Sequence, residues 1–277
     1  MEKVTIPALH QMKRDGRKIV GVVAWDYQIA KLADRAGVEI ISVGDTVGIN
    51  LWGQATPLEV TMDQMVLVCQ AVRRGTERAL VSVDFPFGPL QEGVESALRA
   101  AIRLVKEAGA DMIKLDGAAA FPEAVTALEK AGIPVFAHFG ITPQTALRYG
   151  VDYSAMQRGV QVPAEMTDQL VAEAKLLEKA GASLLDFQNS GPIVGPAVVA
   201  AVQLPVIGGF GGGPWLDGRM RMAHAAIGYA AGAADSTADA YANVAKITLE
   251  ALGSYAHDVR EGRHIRGQVP AAAATPA

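Results

Sequence analysis

A lysine and a carboxylate two residues apart lie in one short apolar run of the chain. The run covers residues 111–117 and has the composition of a β-strand. Because side chains alternate across a strand, Lys114 and Asp116 would point to the same face. Two further apolar runs end in an aspartate, at Asp45 and Asp84. Three strand ends that present carboxylates predict one site.

Oxygen-rich sites without cysteine are typical of Mg²⁺ or another hard divalent ion. Such an ion would bind the adjacent oxygens of a 2-oxo acid and polarise its carbonyl, which makes an enolate accessible. Lys114 would offset the charge of the acid, and His138 and Gln188 also follow strand ends. Each residue has an ordinary alternative, such as a turn aspartate or a Lys114–Asp116 ion pair, but their joint occurrence favours a site.

Apolar runs alternate with helical patterns along most of the chain, and Ala-Gly pairs recur where the helices end. We predict strands at residues 18–24, 40–43, 79–83, 112–115, 135–137, 184–187 and 206–208, and helices at residues 62–74, 95–107, 122–130 and 165–179. This order predicts an α/β fold, a (βα)8 TIM barrel, whose chemistry lies at the carboxyl ends of its strands. We expect the eighth strand within residues 225–232 and a closing helix at residues 236–260.

Composition limits the organisation and the partners of the protein. The 277 residues are half hydrophobic with a net charge of −4, which suits one barrel domain and offers no basic stripe for nucleic acid. We predict a lead at residues 1–17, the barrel at 18–262 and a disordered tail at 263–277. No run approaches the ~18 apolar residues of a membrane span, so we expect no membrane partner and a cytoplasmic location. Cys69, the only cysteine, is predicted to be a buried apolar side chain.

Four motifs then match a known family in order and spacing. They are VGDTVG at residues 43–48, DFPFG at 84–88, KLDG at 114–117 and AHFGITPQ at 137–144. The sequence resembles the ketopantoate hydroxymethyltransferase family over about residues 18–262. The resemblance implies a barrel of the phosphoenolpyruvate mutase/isocitrate lyase superfamily, assembled as a homo-oligomer and typically a decamer. It also implies transfer of a one-carbon unit from methylenetetrahydrofolate, or from formaldehyde, to 3-methyl-2-oxobutanoate or an analogue, as in pantothenate biosynthesis.

The same resemblance assigns roles to individual positions. It implies that Asp45 and Asp84 bind Mg²⁺, or Mn²⁺, Zn²⁺ or Co²⁺, and through it the substrate. Asp116 would support the metal through its water shell. Thr46, Lys114 and His138 would hold the 2-oxo acid, and His138 is also a candidate catalytic residue.

Gln188 departs from the family, which carries a glutamate there as the expected base. An amide cannot accept a proton near neutral pH, and loss of a general base typically costs ~10²- to 10⁴-fold in rate. Asp186 lies on the same strand face, ~7 Å further along the barrel. It would act as the base or replace a structural group, and we favour the structural role because the substrate would have to lie deeper to reach it. Thr46 and Asp116 replace the family's serine and glutamate, which suggests an altered substrate.

Two loops are further candidates for contacts. The glycine-rich loop at residues 208–215 is expected to be flexible and to cover the site. Residues 139–163 form a long connection, which would act as a lid or pack between subunits. Its candidate contact residues are Arg148, Tyr149, Tyr153 and Arg158.

Three functions remain open from the sequence. The leading hypothesis is a metal-dependent aldol-type hydroxymethyltransferase that acts on a 2-oxo acid through a metal-stabilised enolate. The second is a carbon–carbon lyase or decarboxylase on an oxaloacetate-like acid, where Gln188 is less awkward because cleavage makes the enolate without removing an α-proton. The third is a non-catalytic oligomer that binds a metabolite.

Overall fold

Eight parallel strands close into a barrel in the first part of the chain. The structure, a computed structural model, describes residues 2–152, 156, 160–210, 212–236 and 240–267. The chain divides into two compact units, Met1–Ala223 and His224–Ala277, and the first contains the whole barrel. The strands are β1 Ile19–Val23, β2 Ile40–Val43, β3 Leu80–Asp84, β4 Met112–Asp116, β5 Val135–Gly140, β6 Leu184–Gln188, β7 Val206–Gly208 and β8 Gly218–Met222. The predicted (βα)8 barrel is confirmed, while the domain boundaries stay predictions.

Helices connect most of the strands. They are α1 Ile6–Arg14, α2 Tyr27–Ala36, α3 Val47–Trp52, α4 Met62–Gly75, α5 Val94–Arg103, α6 Pro122–Lys130, α7 Thr167–Lys179, α8 Val194–Ala201, α9 Ala223–Ala226 and α10 Val244–Arg260. The helix predicted at residues 95–107 is α5 followed by a π-helical turn, Leu104–Ala108. In the part of the chain that the structure describes, no helix is both long and apolar enough to cross a bilayer.

Local sequence signals set the ends of these helices. Asp26 caps α2 by accepting the backbone N–H of Ile29 at 2.9 Å. Gly37, which follows α2, has φ +89°, a left-handed conformation that glycine adopts without a steric penalty. The glycines of the other three Ala-Gly pairs also have positive φ. The predicted helix stops are therefore present at all four positions.

The prediction for the eighth strand is wrong. β8 is Gly218–Met222, whereas residues 225–232 include a helical turn and the 3-10 segment Ala231–Ala233. β8 alternates inward glycine and methionine with outward arginine, so it contains no continuous apolar run. Glycine is required at Gly218 because a Cβ there would collide with the carbonyl oxygen of Ile19 in β1.

The closing helix is shorter than predicted, and most of the predicted tail lies outside the described residues. α10 begins at Val244, because Asn243 caps it by accepting the N–H of Lys246 at 2.9 Å. Residues 237–239, at the predicted start of the helix, lie outside the described residues, as do residues 268–277 of the predicted tail.

The core follows from burial of the strands on both faces, which is typical of parallel sheets. Strands β2, β4 and β6 are buried along their whole lengths. Cys69 in α4 is fully buried, and burial raises the pKa of its thiol to about 12. The prediction that Cys69 is a small buried apolar side chain is confirmed.

Replacing Asp34 with Asn should lower the free energy of unfolding by about 2–3 kcal/mol. Asp34 is buried in α2 and accepts backbone N–H groups of Glu77 at 3.0 Å, Arg78 at 3.1 Å and Ala79 at 2.7 Å, which fixes the entry to β3. An amide presents a single acceptor oxygen to these three donors. Urea denaturation would measure the loss, with the exposed Asp168→Asn as control. Equal midpoints for the two variants would contradict the prediction.

The contribution of Asp34 should also depend on pH. Burial raises the pKa of Asp34, but the backbone hydrogen bonds outweigh burial and hold the pKa below its ordinary value. The stabilisation is therefore present above the unfolded pKa of about 3.9 and lost as the pH falls through the lower folded pKa.

Candidate active site

The barrel brings six charged or titratable side chains from five strands to one end. Within the sheet, Asp84 lies beside Lys114, Asp116 beside His138, and His138 beside Asp186. Asp45 follows the end of β2. All are buried except Asp84, whose side chain is 14% exposed. The carboxylates predicted from strand ends therefore share one region, as parallel strands in a barrel require.

Lys114 is the central cation of this site. Its Nζ lies 2.9 Å from Oδ2 of Asp186 and 3.6 Å from Oδ2 of Asp84. Burial lowers the pKa of Lys114, but the carboxylates of Asp186 and Asp84 outweigh burial and raise the pKa above its ordinary value. Lys114 is thus an ammonium ion at neutral pH. The alternative pair between Lys114 and Asp116 does not form; the two carboxylates that pair with Lys114 lie on β3, next to its own strand, and on β6, two strands away.

The pKa values of Asp45 and Asp84 are both raised in this site. Burial raises the pKa of Asp45 well above its ordinary value, and the Asp84 carboxylate adds to the rise. Burial likewise raises the pKa of Asp84, although Lys114 and His138 partly offset it. Gln144 Nε2 donates to Asp45 at 2.8 Å, and Ser42 Oγ donates to Asp84 at 3.3 Å. Two carboxylates with raised pKa values, Asp45 buried and Asp84 largely so, favour a bound cation.

The donor set fits a hard divalent ion that is held in part by the protein. Mg²⁺ is usually bound through one or two carboxylates, with water and substrate oxygens completing its shell. Asp45 and Asp84 supply two carboxylates of this kind. Among the described residues, no three His, Cys, Asp or Glu side chains gather into a cluster that could enclose a metal. A two-carboxylate site is consistent with both observations.

Asp116 is held by the loop after β5. Its Oδ1 accepts a short hydrogen bond from Thr142 Oγ1, and its Oδ2 accepts the backbone N–H of Gln144 at 3.3 Å. Nδ1 of His138 lies 3.4 Å from Oδ2. These contacts hold Asp116 against His138 and the loop after β5, and its place in the water shell of a metal stays a prediction.

Three supporting residues were not predicted as parts of the site: Ser42, Thr142 and Gln144. Thr142 and Gln144 belong to the motif at residues 137–144, so the signal was present, but their hydrogen bonds with Asp116 and Asp45 follow from the path of the loop. Thr46 stands directly before α3 and its side chain makes no capping hydrogen bond.

Known proteins match this chain over nearly its whole length. The family model described as ketopantoate hydroxymethyltransferase matches residues 3–265. The chain belongs to the ketopantoate hydroxymethyltransferase family. The 3-methyl-2-oxobutanoate hydroxymethyltransferase of Salinibacter ruber is 38% identical over 261 residues, which cover 94% of this chain and 96% of the relative. The enzyme of the same name from a Cyanothece species is 39% identical over 258 residues, which cover 93% and 96%.

The fold is shared more widely than the sequence. The crystal structure of 2,3-dimethylmalate lyase, a phosphoenolpyruvate mutase/isocitrate lyase superfamily member, superposes with a TM-score of 0.57 at 13% identity. The match covers 98% of this chain and 91% of the lyase. This likeness supports the barrel predicted for a ketopantoate hydroxymethyltransferase relative.

For a ketopantoate hydroxymethyltransferase relative, the unusual part of the site is β6. Gln188 is buried at the carboxyl end of the strand, and a Cβ at Gly209 would lie 3.3 Å from its Oε1. Asn189, the next residue, has φ +55° and donates its N–H to the carbonyl oxygen of Phe210 at 2.7 Å. The loop after β7 therefore packs closely against the amide of Gln188.

The two predicted loops of this ketopantoate hydroxymethyltransferase relative lie near the same end. Arg148 and Tyr149 line a cleft of about 240 Å³ with the ends of β4 and β5 and with α7. Tyr153 and Arg158 lie outside the described residues, as does Gly211 of the glycine-rich loop. Trp215 of that loop donates from Nε1 to Oγ of Ser190 at 3.1 Å. The roles of both loops as covers stay predictions.

Proposed function

We propose that this protein is a divalent-ion-dependent hydroxymethyltransferase that acts on 3-methyl-2-oxobutanoate or an analogous 2-oxo acid. Family membership supports aldol-type transfer to a 2-oxo acid. The observation that carries the proposal is the buried ammonium of Lys114 beside the carboxylates of Asp84 and Asp186. A buried ammonium next to these two carboxylates suits an acid whose carboxylate and ketone lie on adjacent carbons.

The chain's own residues would bind and orient this acid. An ammonium has three donors, and two of those of Lys114 face Asp186 and Asp84, so the third can bind the acid. His138 Nε2 has no hydrogen-bond partner among the described residues and can contact a substrate oxygen. Thr46 would contribute its hydroxyl. A divalent ion such as Mg²⁺, held by Asp45 and Asp84, would supply Lewis acidity toward the ketone oxygen.

The one-carbon donor and the assembly belong to the same proposal. Methylenetetrahydrofolate or formaldehyde would supply the carbon. A homo-oligomer, decameric by the family resemblance, and a cytoplasmic location are part of this proposal. Light scattering of the purified protein would test the decamer.

A second function is favoured by one observation, the amide at Gln188. An amide cannot remove an α-proton, whereas cleavage or decarboxylation of an oxaloacetate-like acid forms an enolate without that step. The same cation and carboxylates would serve this reaction. A non-catalytic metabolite-binding protein, the third hypothesis, would show thermal stabilisation by the acid without any product.

Product analysis tests these functions in one experiment. The protein would be incubated with 3-methyl-2-oxobutanoate, Mg²⁺ and either donor, and the hydroxymethylated acid would be measured by proton NMR. We expect product that requires both the protein and the divalent ion, and that chelation with EDTA removes. Failure to form product from a panel of 2-oxo acids with both donors would contradict the transferase. Release of pyruvate from an oxaloacetate-like acid would support the lyase instead.

A further inference from the structure

Within the described part of the chain, Asp186 is a buried carboxylate with only one of its two oxygens paired, an arrangement that costs free energy of folding. It lies within β6 at 2% exposure, and its Oδ2 is 2.9 Å from Nζ of Lys114 and 3.8 Å from Nε2 of His138. Of these two groups, only Lys114 lies within hydrogen-bonding distance of this oxygen. The other oxygen, Oδ1, is buried and has no hydrogen-bond partner among the described residues. One oxygen of the carboxylate is thus held, and the other is an unused acceptor.

Stability does not explain a carboxylate at this position. A buried acceptor without a partner typically costs ~1–3 kcal/mol, and more for a charged group. Lys114 already has Asp84 as a counter-ion, and the charge of Asp186 further raises the pKa of the Asp84 carboxyl. The outward-facing neighbours in β6, Leu185 and Phe187, are apolar and fully buried. An apolar residue at position 186 would fit the same core without these costs.

Asp186 lies next to the side chains that we propose to hold the 2-oxo acid. The side chains that we propose to hold the 2-oxo acid, Lys114 and His138, are the same two that contact Asp186. Gln188, two residues further along β6, faces the same interior with an amide. Asp186 is therefore a carboxylate next to the two side chains that would bind the substrate. It also lies on β6, the strand on which Gln188 leaves the base position without a carboxylate.

We propose that Asp186 is the general base that removes the proton from C3 of the 2-oxo acid; this inference rests on the proposed function. Oδ1 accepts the proton, the electron pair of the C3–H bond forms the C2–C3 double bond, and the π pair of the ketone moves to its oxygen. With formaldehyde as the acceptor, an electron pair on the enolate oxygen re-forms the C2 ketone, and the C2–C3 π pair forms the bond between C3 and the formaldehyde carbon. The π pair of formaldehyde moves to its oxygen, which takes the proton from Asp186. Lys114 positions the carboxylate through Oδ2.

Hydrogen exchange isolates this step from the transfer. The wild-type protein with Mg²⁺ and 3-methyl-2-oxobutanoate in D₂O should lose the C3 proton signal in proton NMR. Asp186→Asn should exchange ~10²- to 10⁴-fold more slowly per folded protein, while its affinity for the acid, measured by calorimetry, is retained. Asp217→Asn is the matched control, because Asp217 forms a partly buried ion pair with Lys13 at 2.9 Å, before β8. The control should exchange at the wild-type rate.

Two further variants separate a chemical role from a structural one. In the double variant Asp186→Asn/Gln188→Glu, a carboxylate returns to the same strand face, and exchange should recover at least in part. Asp186→Glu keeps a counter-ion for Lys114 but moves the accepting oxygen, and misplacement by ~1 Å can cost ~10²-fold. This variant keeps the test valid if Asp186→Asn does not fold.

The outcomes distinguish this proposal from the proposed function. Wild-type exchange in Asp186→Asn or Asp186→Glu would overturn the base assignment. Hydroxymethyl transfer by Asp186→Asn at the wild-type rate would also overturn the assignment and leave the transferase standing. Absence of both exchange and transfer would overturn the transferase, and the base assignment with it.

Discussion

Asp84→Asn should lower divalent-ion-dependent turnover of the 2-oxo acid by on the order of 10³-fold, because Lewis-acid stabilisation contributes several kcal/mol and each 1.36 kcal/mol is tenfold. Asn keeps the shape of the side chain but provides one neutral oxygen in place of a carboxylate. Asp84 is also the residue that joins the proposed ion ligands to Lys114, at 3.6 Å. The substitution therefore weakens the ion site and disturbs the cation that would bind the acid.

Steady-state kinetics over a range of Mg²⁺ concentrations would measure this effect. Asp63→Asn is the matched control, since Asp63 is an exposed aspartate on α4 that pairs with Arg103 at 2.7 Å. The control should keep wild-type kinetics. Turnover in Asp84→Asn that equals the wild type, or wild-type turnover that persists after complete removal of divalent ions, would exclude the proposed ion site.

Lys114→Met should lower the free energy of unfolding by about 3–5 kcal/mol and abolish binding of the acid. Removing one member of a buried ion pair leaves the other charge without compensation, and here two carboxylates, Asp186 and Asp84, would lose their cation. Methionine is of similar length and apolar, so the loss reports charge more than volume. Urea denaturation of the variant, with exposed Lys31→Met as control, would measure it.

A second substitution tests the cause of that loss. Lys114→Met/Asp186→Leu removes the more deeply buried of the two uncompensated carboxylates and should be more stable than Lys114→Met alone, whereas independent effects would add. The loss should also persist across neutral pH. Because the folded pKa of Lys114 lies above its unfolded value of about 10.4, its stabilisation is fully present below that value and is lost only as the pH rises through the folded pKa.

Most of the barrel could be predicted from the sequence because parallel strands buried on both faces leave continuous apolar runs. β8 could not, since its outward arginines interrupt the pattern. The strand is defined by its pairing with β1, where Gly218 lies beside Ile19. That pairing depends on closure of the barrel, and a short stretch of sequence around residues 218–222 does not reveal it.

The site was also predicted only in part: the direction of each side chain along its own strand could be predicted, but its contacts with other strands could not. Strand alternation correctly placed Lys114 and Asp116 at one end of the barrel, but it suggested the wrong ion pair. Lys114 reaches Asp186 on β6, two strands away from its own. Counting along β6 placed Asp186 deeper than Gln188, which is why the sequence favoured a structural role for it. Strands tilt against the barrel axis, so equal depth on different strands cannot be counted from strand ends alone.

The pairing of β1 with β8 also has a consequence for synthesis of the chain. The two strands lie about 200 residues apart in the sequence, and ribosomes add ~5–20 residues per second. For roughly 10–40 s after β1 leaves the ribosome, the hydrogen-bonding edge that it will offer to β8 has no partner in the nascent chain. Unpaired strand edges promote association with other chains. We therefore expect truncated products that end before Gly218 to aggregate, and the nascent protein to depend on chaperones until β8 emerges.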